Sequence, residues 1–173
     1  ETSPCRCSIG RHAPPKDDRI PNVEVMDLPN ADGIMFDETC QLWFPTRFGM
    51  APAQMKAVMG ATGSLWQNGA LLGKPAATFF STGTAGGGQE TTALTFLTQL
   101  THHGTVIYVP LGYSSPLLMK NDEVHGGSAY GAGTLAGPDG SRMPYDLEKQ
   151  VAKHQGNMFA TPCKKLKAGR EAA

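Results

Sequence analysis

The chain has 173 residues, 40% hydrophobic and 17% charged, with 15 basic and 15 acidic side chains and a net charge of zero. That length suits one domain with its own core, and the neutral balance excludes an electrostatic case for nucleic acid or an anionic membrane. No apolar run approaches the ~20 residues that span a bilayer. There is no signal-like apolar segment near the start, so the expected location is cytoplasmic. Cys5, Cys7, Cys40 and Cys163 read as free thiols, because Cys5-x-Cys7 fits no zinc pattern and no histidine pair has ligand spacing; no metal is expected. The charged fraction lies below the usual ~25%, which points to surface buried in an oligomer.

In chain order, residues 1–30 read as an irregular arm, interrupted by Pro4, Pro14, Pro15, Pro21 and Pro29. A domain follows over residues 31–167. Gly33 to Phe36 reads as a short buried strand, and the polar run Asp37 to Gln41 breaks the pattern. Ala51 to Met59 is helical, with Met55, Val58 and Met59 on one face. Ala76 to Phe80 is a strand. Thr91 to His103 is an amphipathic helix with Ala93, Leu94, Leu97 and Leu100 inward and Gly104 just past its end. Val106 to Val109 is a third strand, residues 126–143 a Gly-rich loop, and Asp146 to Ala160 a helix carrying Leu147, Val151 and Met158 and stopped by Pro162. Strands alternating with helices imply a parallel sheet with helices on its faces. Three strands are too few for such a sheet, so the pattern reads as the second half of a doubly wound domain.

The segment from Ser81 to Glu90 joins a strand end to a helix start with Thr82, Gly83, Thr84, Ala85, Gly86, Gly87, Gly88 and Gln89 between. In α/β sheets that position binds ligands. Glycine lets backbone approach a flat ligand closely, and the free N–H groups at the helix start suit carbonyl or anionic oxygens. The loop Phe44-Pro45-Thr46-Arg47-Phe48-Gly49 is expected on the same side. The glycine run is no Walker loop, because no Lys-Ser/Thr follows it. Gly131 to Ala136 matches a dinucleotide fingerprint in letters but lacks a preceding strand and a following helix. Arg47, His102 and Trp66 each have a bland local reading: an exposed cation over an aromatic, a histidine favoured by the helix C-terminal dipole, and a core aromatic. No Ser-His-Asp or Cys-His arrangement supports hydrolase chemistry.

Taken together, Pro45 to Gly49, Thr62-Gly63-Ser64-Leu65-Trp66, Ser81 to Glu90, His102-His103-Gly104, Gly126 to Ala132, Asp139 to Arg142 and His154-Gln155-Gly156 resemble the WrbA family. Those are flavodoxin-like NAD(P)H:quinone oxidoreductases that bind FMN and form tetramers. The resemblance covers roughly residues 12 to 167. It implies an α/β flavodoxin-like fold, FMN as cofactor, NAD(P)H as electron donor, a quinone substrate and a homotetramer. It places Thr46, Arg47 and Phe48 beside the flavin ring, Ser81, Thr82, Gly83, Thr84, Ala85 and Gly86 in the second flavin loop, His102 on the quinone side, and Trp66 in the substrate pocket across a subunit interface. No side chain is implied as a nucleophile.

Two departures shape the expectation. The family begins with a strand and a Ser-Met-Tyr-Gly-His phosphate loop that has no counterpart here, so the sheet is expected to lack its N-terminal β-α-β portion, including its central strand, and FMN to bind weakly. The run Asp37 to Trp43 separates the strand from the first flavin loop and is expected to displace it. The alternative to a quinone reductase is a non-catalytic interaction subunit of the same fold that has lost FMN.

Overall fold

Ala76, Ala77, Thr78 and Phe80 are sealed from solvent. This explains why their segment carries no charged residue and, apart from Thr78, only apolar ones: a strand covered on both faces has no solvent side. The computed structural model describes residues 40–104 and 107–172. Its elements are β1 (Cys40–Pro45), α1 (Ala53–Gly60), α2 (Gly63–Gln67), β2 (Pro75–Thr82), α3 (Gln89–His102), β3 (Ile107–Tyr108), a 3-10 turn (Pro116–Met119), β4 (Gly133–Leu135) and α4 (Asp146–Glu171).

β2 is the hub of a parallel sheet. β1 runs along one edge, from Cys40 opposite Ala76 to Pro45 opposite Ser81. β3 pairs the start of β2 and β4 its end, with Phe80 opposite Gly133 and Thr82 opposite Leu135. Since β1 already occupies one edge over Ala76 to Ser81, β3 and β4 must share the other. They are two pieces of one interrupted strand, and residues 110–131 leave the sheet between them, Val109 still donating to the Ala76 carbonyl and the Ala132 carbonyl accepting from Phe80 N–H.

Side chains repair the interruption. At the start of the β2–β4 ladder the Gln155 amide takes the Ala132 N–H at 2.5 Å and donates to the Thr78 carbonyl at 3.0 Å, replacing a rung. A Cβ on Gly131 would collide with the same Thr78 carbonyl, so only glycine fits there. On the outer side of β4, Leu135 N–H reaches Glu148 Oε1 at 3.3 Å and the Leu135 carbonyl accepts from Arg142 Nη1 at 2.5 Å. The buried Glu148 also accepts from Gly126 N–H, the Thr134 hydroxyl and Tyr145 N–H, and lies 3.1 Å from Arg142.

Two cores flank the sheet. Phe44, Ala51, Met59, Ala76, Phe96 and Leu100 pack under α1 and α3, with Phe44 and Phe96 ring centroids 4.7 Å apart. Leu111, Ala132, Leu147 and Val151 pack on the opposite face under α4, with Phe79 and Met158. Both faces of β2 are therefore covered by helices, the arrangement of an α/β parallel sheet of the flavodoxin-like class.

Four expectations change. Cys40 to Trp43, read as part of an inserted polar run, belong to β1, which runs straight into Thr46, so the first loop follows directly on a strand; Asp37 to Thr39 lie outside the described residues. β4 lies inside the stretch read as pure loop, because its three residues are too few to register as a strand without a partner. Leu94 is exposed on α3, one step of ~100° beyond Ala93, and Thr92 and Phe96 complete the inward face. Pro162 does not stop α4, which continues to Glu171. A helical proline forfeits one hydrogen bond and costs ~3 kcal/mol; here it falls just beyond Phe159, the last buried residue of the helix, and further on Arg170 still donates to the Gly73 carbonyl at 3.0 Å. The expected strand Gly33 to Phe36 and the arm over residues 1–30 lie outside the described residues. Gly104 does follow α3 in the left-handed region, with φ of 67°.

At that end of α3 the Thr62 hydroxyl donates to the Met59 carbonyl at 2.6 Å and so accepts from His103 Nε2–H at 2.5 Å. That fixes the tautomer and leaves Nδ1 buried without a partner among the described residues. Burial, then the charge of His102, lowers the His103 pKa below its ordinary 6.5. For Glu148, burial alone would raise the pKa, but the donors from Gly126, Thr134, Tyr145 and Arg142 together hold it below 4.5. Both groups take protons more readily when unfolded, so both stabilise the fold at higher pH. The His103 share is complete above about 6.5 and is lost as pH falls beneath it; the Glu148 share is complete above about 4.5 and is lost at lower pH. Thermal unfolding followed from pH 8 to pH 3 should therefore show two successive losses of stability, and His103→Gln should remove the upper one while keeping the lower.

Candidate functional site

The register of β1 on β2 sets the geometry. Pro45 lies opposite Ser81, so both strands end level and their loops leave the sheet side by side. Thr46 N–H donates to the Ser81 carbonyl at 2.8 Å, and the Thr46 and Thr92 hydroxyls share a hydrogen bond at 2.9 Å. Thr46 is buried by these contacts, and its role is to tie the first loop to α3.

Arg47 and Met50 exchange both backbone hydrogen bonds, at 2.8 and 3.1 Å, around Phe48 and Gly49. Phe48 has φ of 51° and Gly49 of 73°, the signature of a type I′ turn. A bulky residue in the left-handed region is strained, and such strain concentrates at functional sites. The turn leaves the Phe48 side chain 99% exposed. Arg47 is also exposed and bonds its guanidinium to the Thr46 carbonyl at 3.1 Å.

The second loop meets this turn backbone to backbone. A Cβ on Gly88 would lie 3.0 Å from Gly49 Cα and 2.8 Å from Thr91 Oγ1, and a Cβ on Gly49 would lie 2.9 Å from the same hydroxyl. Gly87 is equally constrained, since its Cβ would meet Thr82 Cβ at 2.7 Å. Gly86 is different: a Cβ there has no described atom within 4 Å, and its φ is not left-handed. Neither the fold of the loop nor its backbone conformation requires glycine at position 86. Thr82 is buried, while Gly83, Thr84, Ala85 and Gly86 are exposed and Ser81 is half-buried. The N–H groups of Thr84, Ala85 and Gly86 have no acceptor among the described residues. The turn that exposes Phe48 thus abuts, through Gly49 and Gly88, the loop that carries three consecutive available donors and an open approach at Gly86. That combination fits the edge and face of a flat heterocycle with carbonyl oxygens, such as the flavin ring.

His102 and Trp66 are not brought to this place within one chain. α3 starts at the second loop and runs 14 residues to His102, so at 1.5 Å per residue the two ends lie about 20 Å apart. α2 sits at the far end, held by the Thr62–His103 bond and by Gly73 N–H to the Gly104 carbonyl at 2.9 Å. There Trp66 is 59% exposed, so it is no core residue, and His102 is exposed as well. Sequence reasoning missed Gln89, which is buried and touches Thr82, Thr134 and Gly127, and it missed Glu148. The only available signal was polar type at positions where the helical period turns inward.

No protein-family model matches the chain. Among curated proteins it is 57% identical to quinone-oxidoreductase QR2 of Triphysaria versicolor over 156 residues, covering 90% of this chain and 72% of that one. It is 52% identical to NAD(P)H quinone oxidoreductase PST2 of Candida albicans over 147 residues, covering 85% of this chain and 69% of that one. It is 51% identical to probable NAD(P)H dehydrogenase (quinone) FQR1-like 2 of Arabidopsis thaliana over 155 residues, covering 89% of this chain and 54% of that one. The chain therefore spans between about half and three quarters of the length of these relatives. With half or more of the aligned residues shared, this chain belongs to the flavodoxin-like NAD(P)H quinone oxidoreductase family.

Proposed function

We propose that the chain serves NAD(P)H-dependent, two-electron reduction of quinones, with FMN as the resident cofactor and its ring held between the Phe48 turn and the loop from Ser81 to Gly86. The observation that carries the reading is the contact between Gly49 and Gly88, which joins the turn bearing the exposed Phe48 to the loop bearing the unpaired N–H groups of Thr84, Ala85 and Gly86. The chemistry supplied at a flavin ring is transfer of two electrons from NAD(P)H to the quinone. The chain's own part is to bind and orient. The loop N–H groups meet ring acceptors, Phe48 covers a flat surface, and the Thr46–Thr92 pair holds the first loop against α3.

The far-end placement of Trp66 and His102 supports a homotetramer in which another copy completes the pocket. In that arrangement the exposed Trp66 of one copy faces the ring site of the next, and His102 joins it. No helix among the described residues is long and apolar enough to cross a membrane, and we place the protein in the cytoplasm.

The direct test is titration with FMN and with riboflavin, followed by flavin fluorescence and by NAD(P)H-driven quinone turnover. Ring recognition predicts saturable binding of both flavins and turnover in the FMN-loaded protein; neither binding nor turnover would instead indicate a non-catalytic subunit of the same fold. Gly86→Val should leave the melting temperature of the flavin-free protein unchanged and abolish flavin binding, because the added side chain occupies only ligand space. Gly87→Val should lower the melting temperature even without flavin, through its clash with Thr82. Equal flavin affinity in wild type and Gly86→Val would remove this loop from the site. Trp66→Ala should reduce quinone turnover while sparing FMN binding, by a stacking contribution of roughly 0.5–1.5 kcal/mol. A parallel loss of FMN binding would place Trp66 with the cofactor rather than the substrate.

A further inference from the structure

We propose that Gln89 is a positioning residue that aims the Ala85 N–H out of the second loop toward a ligand acceptor, and that it ties this aim to the position of Gly127. The proposal rests on the flavin reading above for the identity of the ligand, a ring carbonyl or ring nitrogen, but the geometry of the relay stands apart from it.

Gln89 opens α3 and is buried. Its Oε1 accepts the Gly127 N–H at 2.7 Å. A backbone N–H can only donate, so this bond settles which way the amide faces. Nε2 must then point the other way, where it donates to the Thr134 carbonyl at 3.0 Å and to Thr82 Oγ1 at 3.0 Å. With its oxygen accepting from Gln89, the Thr82 hydroxyl turns its single proton to the Thr84 carbonyl at 2.8 Å. That carbonyl receives a second bond, from Gly87 N–H at 3.0 Å. The Thr84 carbonyl is thereby fixed inward. In a trans peptide the C=O and the following N–H point in opposite directions, so the Ala85 N–H is fixed outward, where no described residue accepts it.

The relay has no slack. A Cβ on Gly133 would lie 2.5 Å from Gln89 Oε1 and 2.7 Å from Gly127 N, and one on Gly87 would meet Thr82 Cβ at 2.7 Å. Gly127 lies within the excursion over residues 110–131 that interrupts the outer strand. A shift of that excursion moves Gly127 N–H, and the amide of Gln89 carries the shift to the loop that meets the ligand.

Without Gln89 the Thr82 hydroxyl can rotate and the Thr84–Ala85 peptide can turn. The loss of one neutral hydrogen bond to the ligand, about 0.5–1.5 kcal/mol, corresponds to about two- to tenfold weaker binding. The test compares wild type with Gln89→Met, which keeps length and removes both polar ends, and with Gln89→Glu, which keeps the acceptor for Gly127 but presents a carboxylate to Thr82 and to the Thr134 carbonyl. Thr82→Val cuts the same relay one link further on. Two readouts are taken: the backbone amide resonances of Ala85 and Gly86 in the flavin-free protein, and the affinity for FMN. The expected result is that all three variants shift or broaden the Ala85 resonance, leave the amide resonances of Phe96 and Val151 in the two cores in place, and weaken FMN by the stated factor. Core resonances that collapse together with Ala85 in all three variants would overturn the proposal in favour of a purely structural role. An Ala85 resonance at its wild-type position in Gln89→Met or Thr82→Val would also overturn it. If wild type binds no FMN, the flavin reading fails on its own and the amide resonances alone decide the relay.

Discussion

The level ending of β1 and β2 is the constraint on which the rest depends. Because Pro45 pairs with Ser81, the chain leaves both strands at the same height, and two loops far apart in sequence meet at once. The meeting is backbone on backbone, Gly49 against Gly88: a Cβ on Gly88 would press on the Gly49 Cα at 3.0 Å, and one on Gly49 would press on the Thr91 hydroxyl at 2.9 Å. A slip of one residue in that register would turn Phe44 out of the core and carry Thr46 away from Thr92. The strained turn at Phe48 is tolerable because both ends of it are fixed: Thr46 by two hydrogen bonds, and Met50 by its exchange with Arg47.

The opposite edge of β2 obeys a different rule. An interrupted outer strand would leave buried N–H and carbonyl groups without partners, at a cost of about 1–3 kcal/mol each. Gln155, Glu148, Arg142 and Gln89 supply those partners from two helices and a loop. Buried polar groups of this kind stabilise only when all are satisfied. Glu148 accepts from four separate groups besides Arg142, and Gln155 and Gln89 each use both ends of their amides. The arrangement is specific, because no apolar residue could replace one member without orphaning the others.

Which parts were legible follows from the range of the signals. β2 and α3 were readable because burial on both faces of a strand and a 3.6-residue period are local patterns, and Gly104 marks its helix end by backbone conformation alone. The two loops were readable because glycine and hydroxyl residues cluster where a strand hands over to a helix. β1 was not readable, since Cys40 and Gln41 have no strand pattern and become a strand only by pairing with β2. The run through Pro162 was hidden because a proline inside a helix is costly and usually ends it, and no residue of α4 beyond Phe159 is buried to mark the continuation. Gln89, Glu148 and Gln155 were invisible for a different reason: the partners that matter lie far off in the chain, 38 residues for Gln89 with Gly127 and 77 for Gln155 with Thr78. The resemblance joined Trp66 and His102 to the flavin loops, yet in one chain they occupy the other end of α3.

A crystal structure of the protein grown with FMN is the most direct test of the central claim, that the two loops form one platform for a flat ring. The account predicts the ring between Phe48 and the segment from Thr84 to Gly86, with the Ala85 N–H on one of its acceptor atoms and the Gly49–Gly88 contact unchanged. A ring bound elsewhere, or loops that part to admit it, would contradict the account.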